Sequence, residues 1–376
     1  MSQSLLDLPN ELLQLIAKHL DSQRDINAFS RTNRLLYRLV NPLLYQHNIR
    51  NFGSPALLWA AKHGREATVH HFLREGAAVQ PPCSSAPSYT TPGALRVWVV
   101  GHSLEFNEQL ISSPLSYAAL NGHEALVKLF LEKGVDPNFS EHHHHTPLSL
   151  AAMNGHVSII KLLLDAGADL NWVTRHDGTP LACAARKGQA AAAEFLLLEV
   201  KKRAAMRDSW FQRQVQGAAI AAIRNGHETV VKLFLEKEPD AVFHGPEYPP
   251  PLKIAAIKGN VAIVKLLLDG DIDLDVNGHN AVESLGMAAR YGHKAVVELF
   301  LEKGVDPQSR NDGFRNRTAL SQAAEGGHEA VVELLLAQGV DPECRDGDGR
   351  TPLYWATLCR HEKVVALLQS HIKSTI

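Results

Sequence analysis

Thr146-Pro147-Leu148, Ala151-Ala152, Gly155-His156, an apolar run Ile159–Leu164 and Gly167-Ala168-Asp169 follow one another within about 33 residues, from Glu141 to Val173. Each part has a physical reading. Thr146 is placed to cap a helix that Pro147 begins, since the N–H that proline lacks would have no intrahelical partner in a first turn. Leu148, Ala151 and Ala152 make a narrow apolar face, and alanine lets a neighbouring helix approach closely. Gly155 ends the helix because glycine takes a positive φ without strain. A second helix presents Ile159, Leu162, Leu163 and adjacent apolar residues to the next unit, and Gly167 ends it. So small a unit cannot bury its apolar faces alone, so stacking must do the stabilising.

The glycine that ends the first helix recurs at Gly64, Gly122, Gly155, Gly188, Gly226, Gly259, Gly292 and Gly327, with Arg360 in its place in the last copy. Five of the eight intervals are 33 residues and the others are 58, 38 and 35, so a fixed period survives three interruptions. The period and its Thr-Pro-Leu, Ala-Ala, Gly-His and Gly-Ala-Asp phrases resemble the ankyrin repeat, over residues 53–372. The resemblance implies an all-α solenoid of about nine helix-turn-helix units, with finger loops between units and one concave side for binding protein.

Unit one (Leu57, Ala60, Ala61, Gly64, Phe72, Leu73, Gly76) is short of the full phrase. The longest interval places an irregular insertion at 79–112. Its Pro81-Pro82 and Thr91-Pro92-Gly93 cannot pack as helix, and it is either a surface loop or, through Val97-Trp98-Val99-Val100, a partner-binding element. A second irregular segment, 199–216, carries Lys201-Lys202-Arg203 and Trp210-Phe211 and reads as a prolonged second helix with a solvated basic face. Unit five (Ala218, Ala219, Gly226) has lost Thr-Pro-Leu, a proline-rich stretch ending at Pro251 makes a stiff connection, and the tail after Val364–Leu368 is short and polar.

Residues 1–50 follow a different pattern. Pro9 sits in a first helical turn, and Leu12, Leu13, Ile16 and Leu20 lie on one face. Ser22 and Asp25 have capping-box spacing for a second helix carrying Ile26, Phe29, Leu36, Leu39 and Val40, which Asn41-Pro42 ends. Spacing alone fits a helical cap for the repeats as well as a separate docking module. Leu8-Pro9-x-Glu11-Leu12-Leu13 followed by Ser30-x-Thr32-Asn33-Arg34-x-x-Tyr37-x-Leu39-Val40 resembles an F-box. That resemblance implies a small three-helix domain docking on the Skp-type adaptor of a cullin–RING ubiquitin ligase, with Leu8, Pro9, Leu12, Ile16 and Leu20 facing or supporting the adaptor. Together the two parts resemble F-box/ankyrin proteins of the fungal type.

Composition narrows the alternatives. The chain has 376 residues, 45% apolar and 21% charged, with a formal charge of −2, which suits a folded repeat array and neither a general nucleic-acid binder nor a membrane protein. No basic, then apolar, leader is visible, and Cys83, Cys183, Cys344 and Cys359 are scattered, so a reducing cytoplasmic or nuclear setting without disulfides is expected. Cys183 and Cys359 fall on first helices, where a small buried residue suffices. His142–His145 are adjacent and cannot all reach one tetrahedral ion, and the histidines after glycine (His123, His156, His227, His293, His328) read as structural hydrogen-bonders. Asp346-Gly347-Asp348-Gly349 lacks the remaining oxygen ligands of a calcium loop. No phosphate loop, nucleophile elbow or zinc-protease helix occurs, so neither enzyme activity nor a cofactor is expected.

What remains is a binding surface. Candidate target contacts on fingers are Phe139, Glu141, His142, Trp172, Arg175, His176, Arg310, Asp312 and Arg345, and positions before each glycine add Asn121, Asn154, Lys187, Lys258, Tyr291 and Glu325. The expected function is substrate recognition for a ubiquitin ligase. The alternative is an ankyrin scaffold or inhibitor whose residues 1–50 are a cap.

Overall fold

Thr146 acts as its place predicts. Its Oγ1 accepts the Ser149 N–H at 3.2 Å while Pro147 opens the helix. Thr179, Thr318 and Thr351 cap in the same way, accepting from the N–H of Ala182, Ser321 and Tyr354. The computed structural model describes residues 55–79, 113–140, 145–174, 178–203, 209–243, 250–270, 278–310 and 316–375. The predicted helices of 1–50, and the 79–112 insertion apart from Val79, lie outside the described residues. The chain divides into two compact units, Met1–His176 and Asp177–Ile376.

In the first unit the helices come in pairs: α1 (Pro55–Lys62) and α2 (Glu66–Arg74), α3 (Pro114–Leu120) and α4 (Glu124–Glu132), α5 (Pro147–Met153) and α6 (Val157–Asp165). First helices α1, α3 and α5 pack side by side, and α4 packs on α6. The seam is the predicted small-residue face: Leu57, Ala60 and Ala61, then Leu115, Ala118 and Ala119, then Leu148, Ala151 and Ala152, all buried. On α6 the buried side is Ile159, Ile160, Leu163 and Leu164, whereas Leu162, expected to be buried, is half-exposed. A turn of 3.6 residues puts position 162 beside the seam rather than on it.

The second unit continues with α7 (Pro180–Arg186), α8 (Ala190–Arg203), α9 (Ser209–Asn225), α10 (Glu228–Lys237), α11 (Pro239–Phe243), α12 (Pro251–Lys258), α13 (Val261–Asp269), α14 (His279–Arg290), α15 (Lys294–Glu302), α16 (Ala319–Gly326), α17 (Glu329–Ala337), α18 (Pro352–Leu358) and α19 (Glu362–Thr375). First helices α7, α9, α12, α14, α16 and α18 form one row, and second helices α8, α10, α13, α15, α17 and α19 another.

The irregular segment is explained by lengthening on both sides. α8 runs to Arg203 as the prolonged second helix, and α9 begins at Ser209. The register of unit five differs from expectation: the His227 N–H donates to Ala222 O at 3.0 Å, as the His156 N–H donates to Ala151 O at 3.0 Å, so Ala222-Ile223 hold the Ala-Ala place. Ala218 and Ala219 are buried one turn earlier. The short polar tail after Leu368 is helical, since α19 continues to Thr375. Cys359 is not buried in a helix; it follows α18 as its C-cap and is exposed.

Within each unit, pairs are stitched by the histidine that follows five of the eight glycines, and by His361 after Arg360. His123 Nε2 lies 3.0 Å from Lys62 O and His156 Nε2 3.1 Å from Leu120 O in the first unit. In the second, His227, His293, His328 and His361 reach Arg186 O, Ile257 O, Arg290 O and Glu325 O at 2.7, 2.9, 2.8 and 3.0 Å. A carbonyl only accepts, so each Nε2 carries the proton. Asn260 stands where a histidine would be and instead caps α13, accepting the Ile263 N–H at 3.1 Å. Arg360, in the glycine place, takes φ 59°, a left-handed value that costs a non-glycine residue about 1 kcal/mol.

Candidate protein-binding surface

The loops between pairs are ordered by carboxylates that fold back on their own backbone. Asp136, Asp169, Asp306 and Asp341 accept the N–H two residues on, from Asn138, Asn171, Gln308 and Glu343. This is the reason for aspartate in the Gly-Ala-Asp phrase: its side chain closes a turn that carries the chain out of the second helix. Asn138 then ties one turn to the next, donating to Gly167 O at 3.1 Å while its Oδ1 accepts the Asp169 N–H at 2.6 Å. Gln308 donates in the same way to Gly339 O at 3.3 Å in the second unit.

The last loop is held more firmly. Asp346, 6% exposed, accepts N–H groups from Asp348 at 3.0 Å and Arg350 at 2.9 Å, and the Trp355 indole N–H at 2.9 Å. The Arg317 guanidinium lies 3.5 Å from the Trp355 ring centroid, donates to Glu325 Oε2 at 2.8 Å and stands 3.6 Å from Asp346 Oδ2. Burial alone would raise the Asp346 carboxyl. The backbone donors from Arg350 and Asp348, the Trp355 indole and the Arg317 charge outweigh it and hold the group below the usual carboxylate range. The stretch 346–349 is thus a keystone joining a loop to α16 and α18.

Against this frame the predicted contact residues fall into three groups. Tyr291 is 51% exposed and lies nearly parallel to the His293 ring, 6.5 Å between centroids. Arg310 and Arg345 are exposed on loops, with Arg345 donating to Gly349 O at 3.1 Å. Phe139 and Trp172 are half-buried. Glu141, His142, Arg175, His176 and Asp312, together with Leu8, Pro9, Leu12, Ile16 and Leu20, lie outside the described residues.

Among the positions before glycine, Asn121 bonds its own helix through Tyr117 O, and Asn154 reaches Leu120 O at 3.0 Å. Glu325 is taken by Arg317 and, at 3.5 Å, by Arg290. Lys187 and Lys258 are exposed. The clamps of Asn138 and Gln308 and the Arg317–Asp346–Trp355 cluster were not expected from the sequence. An amide two residues after three of the four loop aspartates is the available signal for the first; the second joins residues 38 positions apart and leaves none.

Chemically, the surface offers aromatic faces, cations and ordered backbone on a stacked frame. Among the described residues no group of three or more His, Cys, Asp or Glu could hold a metal ion, and no helix is long and apolar enough to cross a membrane.

The family model described as ankyrin repeats (3 copies) matches residues 114–208, 218–311 and 285–376, and the model described as F-box-like matches residues 5–51. A search of curated proteins finds no match to the chain.

Proposed function

This chain belongs to the ankyrin-repeat proteins and carries an F-box-like domain, and from that premise we propose that it is the substrate-recognition subunit of a cullin–RING ubiquitin ligase. Residues 1–50 form a three-helix F-box that docks on the Skp-type adaptor, with Leu8, Pro9, Leu12, Ile16 and Leu20 at that contact. About nine ankyrin units over 53–372 carry the target. Phe139, Glu141, His142, Trp172, Arg175, His176, Tyr291, Arg310, Asp312 and Arg345 are the proposed target contacts. The protein works by positioning: tethering raises the effective concentration of the target near a charged ubiquitin-conjugating enzyme, so no catalytic residue or cofactor of its own is required. Such a ligase acts in the cytoplasm or the nucleus.

The observation that carries the reading is one chain holding an F-box-like match at 5–51 and ankyrin matches over more than half its length. One domain type recruits, the other selects. The test is co-purification of the adaptor with the full chain and with a Leu8→Ala, Pro9→Ala variant. Capture lost in the variant supports the reading; equal capture, or none by either, removes the ligase half and leaves a scaffold.

A further inference from the structure

Charge in the second unit is distributed unevenly between its two rows of helices. The second helices carry both signs and pair them: Lys232–Glu236, Lys237–Glu194, Lys294–Glu298 and, just past α15, Lys303–Asp269. The first helices α7, α9, α12 and α14 contain Arg186, Arg213, Arg224, Lys253, Lys258 and Arg290 but a single acid, Glu283. That acid is 8% exposed and bound to Lys253 at 2.5 Å, so it neutralises nothing else.

Most of these cations share one structural position. Arg186 and Lys187, Arg224, Lys258 and Arg290 fall on the last turn or C-cap of their helices, one or two residues before Gly188, Gly226, Gly259 and Gly292. These turns are neighbours in order. A Cβ on Gly188 would meet the His227 ring, one on Gly226 the Asn260 amide, one on Gly259 the His293 ring and one on Gly292 the His328 ring. Lys187, Arg224 and Lys258 are exposed and have no polar partner among the described residues. The row ends at Tyr291, 51% exposed, and at the Arg290–Glu325 pair. In the first unit the same positions hold Lys62-His63, Leu120-Asn121 and Met153-Asn154, which do not make a charged row.

We propose that this edge of the second unit, Arg186-Lys187, Arg224, Lys258 and Tyr291, binds an extended acidic peptide segment of the target, its Asp or Glu side chains spaced about three residues apart. Adjacent helices pack about 8–10 Å apart, and an extended chain in the polyproline II form turns once in three residues while advancing about 9 Å, so every third side chain faces the row and meets a successive cation. Tyr291 supplies an aromatic face at one end. A peptide is favoured over a nucleic acid because the row lies on a chain whose formal charge is −2 and carries one ring, Tyr291, at its end, whereas single-stranded nucleic acid is held by stacking successive bases on aromatic side chains along the groove. The proposal rests on reading the repeats as the target-binding part and does not depend on the adaptor, whose capture through residues 1–50 is measured separately.

The test uses the full chain and labelled peptides of about a dozen residues with Glu at every third position, or Gln or Lys at the same positions, read by fluorescence anisotropy. The Glu peptide is expected to bind at least about tenfold tighter than the Gln peptide, and this preference to collapse between about 0.05 and 0.5 M salt. A Lys187→Gln, Arg224→Gln, Lys258→Gln variant with an unchanged circular dichroism melt loses the preference, while Lys201→Gln, Lys202→Gln on α8 keeps it. Equal binding of Glu and Gln peptides overturns the proposal, as does a preference insensitive to salt or retained in the triple variant. Tighter binding of single-stranded DNA than of the Glu peptide, lost in the triple variant, would assign the row to nucleic acid instead.

Discussion

Replacing Gly259 by alanine tests whether the histidine rungs carry stability, because the chain contains its own control. Gly259 has φ +70°, and a Cβ there would lie 2.3 Å from His293 Nδ1, 2.6 Å from Cε1 and 2.7 Å from Cγ. Gly304 has φ +86° and would place its Cβ within 4 Å of nothing. Both alanines pay the left-handed backbone cost of about 1 kcal/mol. Only Gly259→Ala must also push the imidazole away, and a shift of about 1 Å breaks a hydrogen bond of ordinary length, here the 2.9 Å contact from His293 Nε2 to Ile257 O. The bond contributes about 1 kcal/mol and the stranded carbonyl costs about 1–2 more. The expected losses are about 3–4 kcal/mol for Gly259→Ala and about 1 for Gly304→Ala. In a cycle with His293→Ala the double variant falls short of additivity by about 2–3 kcal/mol, since the bond and the stranded carbonyl are lost in both single variants but only once in the double. Urea unfolding of the wild type and the four variants reads these differences, and amide exchange should locate the loss in α12–α15. Equal losses at Gly259 and Gly304, or strict additivity in the cycle, would refute the reasoning.

The remaining predictions concern the last loop, the thiols and the buried ion pair. Because the Asp346 carboxyl is held below its ordinary value, its contribution is present above about pH 4 and lost as pH falls through the lowered folded value; Asp346→Asn should flatten the acid limb of the unfolding curve and lower stability at neutral pH by about 1–3 kcal/mol. In a Cys83→Ser background, a thiol reagent should label exposed Cys359 in the native protein at once, whereas buried Cys183 and Cys344 react only on unfolding; burial also pushes the Cys344 thiol up, away from thiolate. Lys253→Met strands Glu283 and should cost about 2–3 kcal/mol, less than for a fully buried pair because the lysine is one-fifth exposed; Lys253→Met with Glu283→Leu should recover most of it, as chemical denaturation would show.

Much of the fold is local, which is why it is legible. Thr146 capping α5, Pro147 opening it, the Ala151-Ala152 seam and Gly155 ending the helix all lie within ten residues, and each follows from the chemistry of one side chain or one φ. The histidines were legible as structural because they recur with the period, although their acceptors lie 36 to 61 residues back. Where the phrase erodes, so does the reading. Unit five lost Thr-Pro-Leu, and its Ala-rich helix allows more than one register, which only the His227–Ala222 backbone bond decides. Cys359 sits beyond the last helical residue rather than in the helix, because Arg360 takes the left-handed turn one position later.

The candidate surface was legible as positions and not as energies. Tyr291, Lys187 and Lys258 stand exposed where the repeat phrase put them, but Glu325 and Asn154, occupying equivalent places, serve the stack. That distinction depends on partners from neighbouring pairs, such as Arg317 on Glu325, which no periodicity encodes. The row of cations before successive glycines was written in the sequence, yet its meaning required knowing that the acids nearby, Glu283 and Glu325, are already bound.

The account as a whole turns on one chain that grips an adaptor at one part and a target at another. Affinity purification of the intact protein beside one lacking residues 1–50, with bound proteins identified by mass spectrometry, addresses that directly. The account predicts a Skp-type adaptor and cullin with the intact chain only, and the same set of other partners with both. Adaptor retained after removal of residues 1–50, or absent from the intact chain while the other partners remain, would contradict it.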